Sequence, residues 1–459
     1  MMRRKKRLFP QNDNKPLTRR HASELTSTGL SSALFCAAFF ALILGIYLLP
    51  HLVPLSIGTG YIVLSLAMSG LSVLAWRYDI ITPRRALYLA IIGSVALMPL
   101  LPYTSNDTQR YLWDGAVFLS GLDPYVVSPN NPLAADLREL WATPEEHAAY
   151  ATLYPPGALS LFGLSSLAGP NHGIWVWKLM TTLAAIVSLI AIFKLLAFRD
   201  LTRHFHLIAF CPLLIFEAGV GAHLDIFSLL GIVLALWSLD KDKIILAGII
   251  IGLAATTKFL PAVIVGPLLF FLPPRKALTL FVSSALTWLS LYGLMFGFGY
   301  KPLGLLPTFF EKWRGGAPFF PILDAVKDSL SLPNGMFIAA LTVLAVGGFS
   351  LSAGLAKRGH LDLAICLCLS VPLLLSPILF PWYLLVLIPF LALRPSVTIF
   401  LALTAVPLNY NVLDKWLSQG VWDQPSWPSI VLGLLIVTGL FLDVCLAKTS
   451  RSRNAKLSR

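Results

Sequence analysis

Residues 30–49 read LSSALFCAAFFALILGIYLL, twenty positions without a charge. A helix of that length rises about 30 Å, the thickness of a bilayer's hydrocarbon core. The run is too long for the apolar part of a cleaved signal, and no small-residue cleavage site follows it. Leu34-Phe35 ahead of Cys36 spoils a lipobox. Residues 30–49 are therefore expected to remain as a first membrane span.

The pattern recurs along the chain. Apolar runs at 54–76, 86–101, 173–198, 204–220, 224–239, 243–258, 259–272, 277–297, 335–356, 361–376, 378–393, 396–409 and 429–447 bring the expected number of spans to about fourteen, within a range of 11–14. Lys258 and Pro261 divide 243–258 from 259–272, because a lysine at mid-membrane is costly. Composition agrees. Of 459 residues 57% are hydrophobic and 12% charged, about half the usual charged share of a soluble protein. Mean hydropathy is +0.76. The expected fold class is an all-α polytopic membrane protein.

A net charge of +13 would suggest nucleic acid in a soluble chain. Here the cations sit in two basic tails, 1–29 and 448–459, and in short loops at 77–85, 194–203, 241–243, 275–276, 357–358 and Arg394. With both tails placed inside, those segments hold 26 of the 35 Lys and Arg. That is the positive-inside pattern, and no nucleic-acid partner is expected. A single transmembrane domain, 30–447, then carries large outer loops at 102–172, 299–334 and 410–428. Residues 154–170 (YPPGALSLFGLSSLAGP) are apolar but short and rich in Pro and Gly; they are expected as an interfacial helix on the outer surface. The expected location is the cell (inner or plasma) membrane, multi-pass, with both termini cytoplasmic and any chemistry facing outward. All five cysteines lie in apolar runs, so neither a disulfide framework nor a zinc site is expected.

The densest polar cluster is SNDTQRYLWDG, 105–115. As a helix it places Asp107, Tyr111 and Asp114 on one face, with Ser105 or Asn106 to cap it and Gly115 or Gly121 to end it. Two carboxylates there suit general-base work or cation binding; the plainer reading is a solvated helix whose acids pair with Arg110. Asp123-Pro124 makes a turn presenting Tyr125, and Pro155-Pro156 stiffens the segment after Tyr154. Glu217, His223 and Asp225 flank a glycine-bearing junction, FEAGVGAHLDIF. His223 and Asp225 could ligate a metal, although two ligands are few; Asp225 also suits a helix start. Lys258 either snorkels to headgroups or aims at a phosphate, and Lys312 and Arg314 form a second cation source beside aromatics. Pro381-Trp382-Tyr383 reads most simply as an aromatic belt.

The series NDTQRYLWDG, GLDPY, YPPG, GAHLD, TTKFLP and PWY resembles the GT-C class of integral-membrane glycosyltransferases. Within it, the likeness is to the polyprenyl-phosphate-mannose-dependent mannosyltransferases of bacterial envelopes, the glycosyltransferase 87 group and its actinobacterial α-mannosyltransferase relatives. It covers roughly residues 100–390. The resemblance implies an outward cavity, a polyprenyl-phosphate sugar donor, a glycan or glycolipid acceptor, and inverting transfer of a hexose, mannose by analogy. It implies Asp107 as the catalytic base. Arg110, Tyr111, Asp114, Tyr125, Tyr154, Glu217, His223 and Asp225 are then expected to bind substrate. Lys258, Lys312 and Arg314 are expected at the donor phosphate. Relatives using lipid pyrophosphate carry an acid-x-acid second motif with a divalent metal; this chain has His223-Leu224-Asp225, so no cofactor is expected and a metal is disfavoured. Membrane lipid is the remaining partner. Two rival functions remain: a flippase or transporter of lipid-linked sugars, and a glycan polymerase or ligase. The first lacks a visible repeat between the two halves, and the second lacks a large arginine-rich late loop.

Overall fold

A computed structural model describes residues 25–52, 57–302 and 304–457; the basic segment 1–24 lies outside them. The regular structure of the described residues is helix alone, with one isolated parallel bridge between Gly315 and Ile378; the longest irregular stretch lies between Leu119 and Pro156. The expected apolar runs all become helix, but they do not all become spans. Among the described residues seven helices are long and apolar enough to cross a membrane: Gly29–His51, Ile57–Tyr78, Gly173–Phe198, Pro274–Gly297, Asn334–Lys357, Val397–Gln419 and Trp427–Thr449. A bent pair, Thr202–Ala209 with Pro212–Gly221, makes an eighth if counted as one.

The expectation of fourteen is corrected on length. Ile244–Thr257, Leu260–Phe271, Leu361–Leu375 and Pro381–Leu393 are apolar, yet each has fewer residues than the roughly 20 a span requires. Asp225–Asp240 has 16 residues and Pro83–Ala96 has 14. The expected outer loop at 410–428 also begins inside a helix, because Val397–Gln419 runs on through it.

The breaks have local causes. Pro212 has no N–H to give and disfavours helix at the residue before it, so Cys211 is extended and the two halves meet at 58°. The second half widens into a π turn at Glu217–Gly221 and stops at Ala222, which takes the left-handed conformation (φ 51°). Lys258 is likewise extended (φ −152°), between Ile244–Thr257 and the helical turn that Leu260 opens; the break falls where the sequence puts it. The helix expected from SNDTQRYLWDG spans Asp107–Leu119. Ser105 rather than Asn106 caps it, its Oγ accepting the Asp107 N–H at 3.2 Å. Gly121 follows its end with φ 78°.

Two contacts seat this helix. It crosses Pro156–Ser166 so closely that a Cβ on Gly115 would stand 2.4 Å from the Phe162 carbonyl oxygen. Ser166 Oγ donates to the Leu112 carbonyl there at 2.9 Å. Tyr111 stacks on Phe162 (centroids 4.6 Å apart, 8° between planes) and meets the edge of Trp177. The Pro156–Ser166 segment is thus wedged against its neighbours, with Ala158, Leu159 and Phe162 fully buried. Lys178, also fully buried, donates to the Leu97 and Gly219 carbonyls and ties the Pro83–Ala96 region to the π turn. At the far end of Gly173–Phe198, Arg199 grips Asp240 through Nε and Nη2 (2.8 and 3.0 Å) and Asp362 through Nη1 (2.9 Å).

Candidate active site

A cavity of about 620 Å³ opens beside the Asp107–Leu119 helix. One end is polar: Asp107, Arg110, Tyr111, His147, Tyr150, Tyr154 and Lys258 line it. The other end runs between membrane helices and is lined by Ile338, Leu341, Ala345, Phe349, Val371 and Leu373. Asn334–Lys357, which supplies four of these, buries only Ser352 and Ala356 along its length, so the apolar limb lies on the bundle's periphery. Phe309, Phe310 and Trp313 of the second large loop close over the polar end with Tyr150.

Asp107 is the carboxylate of the first loop that reaches the cavity, its side chain 24% exposed. The Tyr111 hydroxyl, one turn on, donates to its Oδ2 at 3.2 Å. Asp114 does not line the cavity. It is buried behind Arg110, accepting from Arg110 Nε at 2.9 Å and from the Thr152 hydroxyl at 2.7 Å. Burial raises the Asp114 pKa, although Arg110 and the Thr152 hydroxyl pull the other way. Arg110 in turn donates through Nη1 to the His147 and Tyr150 carbonyls (3.2 and 2.9 Å), which fixes the loop roofing the cavity. His147 itself is held below its ordinary pKa by burial, and burial lifts the Tyr111 and Tyr154 phenols well above theirs.

Lys258 is the lysine that lines the cavity, beside Arg110, whose guanidinium is taken up by Asp114 and two carbonyls. The Lys258 Nζ donates to Asp225 Oδ1 at 2.5 Å and lies 3.9 Å from the centre of the Tyr383 ring. The extended backbone at Lys258 aims this side chain across to the first turn of Asp225–Asp240. Asp225 is buried and His223 and Glu217 are fully so; none of the three lines the cavity. His223 lies flat against Trp382 (3.5 Å, 10°), and Trp382 faces the cavity. Among the described residues no three His, Cys, Asp or Glu side chains gather as a metal-ligating set.

Three expected residues sit elsewhere. Tyr125 belongs to the turn at Asp123, whose Oδ1 accepts the Tyr125 N–H (2.9 Å) and whose Oδ2 accepts the Lys301 N–H (3.1 Å). Lys312 reaches out to the Tyr150 hydroxyl at 3.4 Å. Arg314 donates to the Phe310 and Trp313 carbonyls of its own loop. Neither cation lines the cavity. Four of its residues, His147, Tyr150, Trp313 and Tyr383, had no chemical signal in the sequence beyond aromatic character or a lone histidine.

A family model described as alpha-(1->6)-mannopyranosyltransferase, N-terminal domain, matches residues 33–273, just over half of the chain. The chain belongs to this mannosyltransferase family. Membership makes a mannosyl transfer reaction its chemistry, in agreement with the resemblance carried by the loop motifs. The matched stretch of this mannosyltransferase includes Asp107, the π turn, Asp225 and Lys258, and ends before the second large loop. No curated protein and no solved structure matches the chain.

Proposed function

We propose that this mannosyltransferase takes its sugar from a polyprenyl-phosphate donor and passes it, with inversion, to a glycan or glycolipid acceptor on the outer face of the membrane. The observation that carries the reading is the two-natured cavity. Its polar end suits a sugar and a phosphate, and its apolar limb suits an isoprenoid tail. A nucleotide sugar has no use for such a limb.

The residues divide the work simply. Asp107 takes the proton of the attacking acceptor hydroxyl, and the Tyr111 hydroxyl, donating to its Oδ2, orients the carboxylate. A single displacement at the anomeric carbon needs one base and inverts the centre. Lys258 faces the departing phosphate, a good leaving group that requires charge stabilisation rather than a strong acid. Asp225 is already occupied by Lys258, so the reading uses no divalent ion: the ammonium supplies the positive charge itself. Arg110, Tyr150 and Tyr154 are placed to contact the sugar.

The two first-loop carboxylates test the assignment. Asp107→Asn should express and bind donor yet lose about 10²–10⁴-fold in turnover, the usual worth of a general base. Asp114→Asn should cost less, since it touches the cavity only through Arg110. An active Asp107→Asn, or a well-folded Asp114→Asn that is the more damaged, removes Asp107 as base.

A further inference from the structure

Behind the cavity wall runs a hydrogen-bonded chain that the transfer chemistry leaves unused. Glu217 and His223 are each 0% exposed. Glu217 accepts on both oxygens, from the Tyr410 hydroxyl on Oε1 and from His223 Nδ1–H on Oε2. A carboxylate accepting from Nδ1 leaves Nε2 as the ring's acceptor. Ser105 Oγ–H, 2.9 Å away, then donates to Nε2. The same Ser105 oxygen accepts the Asp107 N–H. From Asp107 the bonds therefore all point one way: backbone N–H to Ser105, Ser105 to His223, His223 to Glu217. The Asp107 carboxylate itself stands 3.9 Å from His223 Nε2.

The backbone around this pair is shaped for it. A Cβ on Gly221 would fall 2.2 Å from Glu217 Oε2 and 2.6 Å from His223 Nδ1, so only glycine admits the contact. Ala222 next to it is left-handed, and the Trp177 indole N–H fixes its carbonyl at 2.7 Å. Unfavourable backbone of this kind persists where the surroundings over-determine it, commonly beside a working site. Trp382 covers the imidazole on the cavity side. A buried carboxylate and imidazole joined to a base through one serine have no evident packing role that apolar residues would not fill more cheaply.

We infer that Glu217 and His223 are a positioning dyad for Asp107. Glu217 sets the histidine tautomer, the tautomer sets the direction of the Ser105 hydroxyl, and Ser105 holds the first turn of the helix that carries the base. Neither dyad residue touches substrate. The inference rests on Asp107 being the base.

Turnover of labelled polyprenyl-phosphate mannose by the purified full chain tests it. Glu217→Gln keeps the shape but lets an amide donate to Nδ1, so that Nε2–H donates to Ser105; the Asp107 N–H, which can only donate, then shares the Ser105 oxygen with a second donor and its anchor loosens. Turnover should fall by up to about 10²-fold, the scale of a misplaced catalytic group, with the donor KM within about twofold of wild type. Ser105→Ala should fall similarly, and Ser105→Thr, which keeps the hydroxyl, should retain most activity. The Glu217→Gln/Ser105→Ala double variant should be no worse than the poorer single, because both cut one chain. Wild-type turnover in Ser105→Ala, loss through KM alone, or effects that multiply would overturn the dyad. Should Glu217→Gln fail to fold, the Ser105 pair at its half-buried position still decides. Asp107→Asn in the same assay separates the two claims: if it is inactive while Ser105→Ala is normal, only the dyad falls; if it is active, the base itself is wrong.

Discussion

One helix, Asp225–Asp240, carries a buried carboxylate at each end, and the two ends are built differently. Fifteen residues at 1.5 Å each put them about 22 Å apart. At the C-terminal end Asp240 meets the helix's negative pole, and a guanidinium grips it with two parallel N–H bonds before reaching on to Asp362. That fork is closed and binds three helices together. At the N-terminal end Asp225 meets the positive pole and takes one bond from an ammonium whose side chain is 25% exposed at a cavity. Arginine fixes geometry; lysine presents a compact charge with further protons to offer. The first end holds the bundle, and the second presents a cation at the cavity.

The sharpest way to break this contrast is to remove each cation. Arg199→Met strands two carboxylates, one of them fully buried, and should cost about 3–5 kcal/mol of stability. Thermal unfolding in detergent should show the loss, while the folded fraction transfers mannose at near the normal specific rate. If Arg199→Met melts normally, the clamp is ornamental; if it melts normally and is inactive, the two ends are not separate in role.

Lys258→Met should do the opposite. If Lys258 serves the donor phosphate as proposed, kcat/KM for a lipid-phosphate donor should drop by about 10²–10³-fold, as when one transition-state donor is deleted elsewhere. Lys258→Arg should recover part of it. Near-normal kinetics in Lys258→Met with retained folding would reduce the lysine to a structural partner of Asp225. The smallest effect is expected of the two loop cations. Lys312→Met and Arg314→Met change exposed contacts that lie off the cavity, and each should shift activity by less than about 1 kcal/mol. A loss matching that of Lys258→Met would move the phosphate site into the second loop.

What could be read in advance follows range of interaction. Apolar runs are local, so nearly every apolar helix was legible, and Lys258 and Pro261 marked the right break; the bend at Cys211, the run-on to Gln419 and the amphipathic helix Phe320–Ser329 were not. The number of spans was not, because a 14-residue apolar helix inside a bundle reads like a short membrane span until its length is set against the bilayer. The acids and histidine of the site were legible as chemistry out of place in an apolar setting. Their division was not. Ser105 and His223 are 118 residues apart, and nothing in either segment says that they touch. Only the assembled fold shows that Asp107 reaches the cavity while Glu217, His223 and Asp114 stand behind it. Trp382 read as membrane belt for the same reason: its stacking partner lies in another part of the chain.

By the function proposed above, a lipid-borne phosphate sugar reacts in this cavity without a metal. Purified protein should be given labelled mannose on a polyprenyl phosphate and, separately, on a nucleotide, each with and without a strong chelator. Transfer from the lipid donor is expected at the same rate in both conditions, and none from the nucleotide. Transfer from the nucleotide sugar, or lipid-donor activity that the chelator abolishes and manganese or magnesium restores, would contradict it.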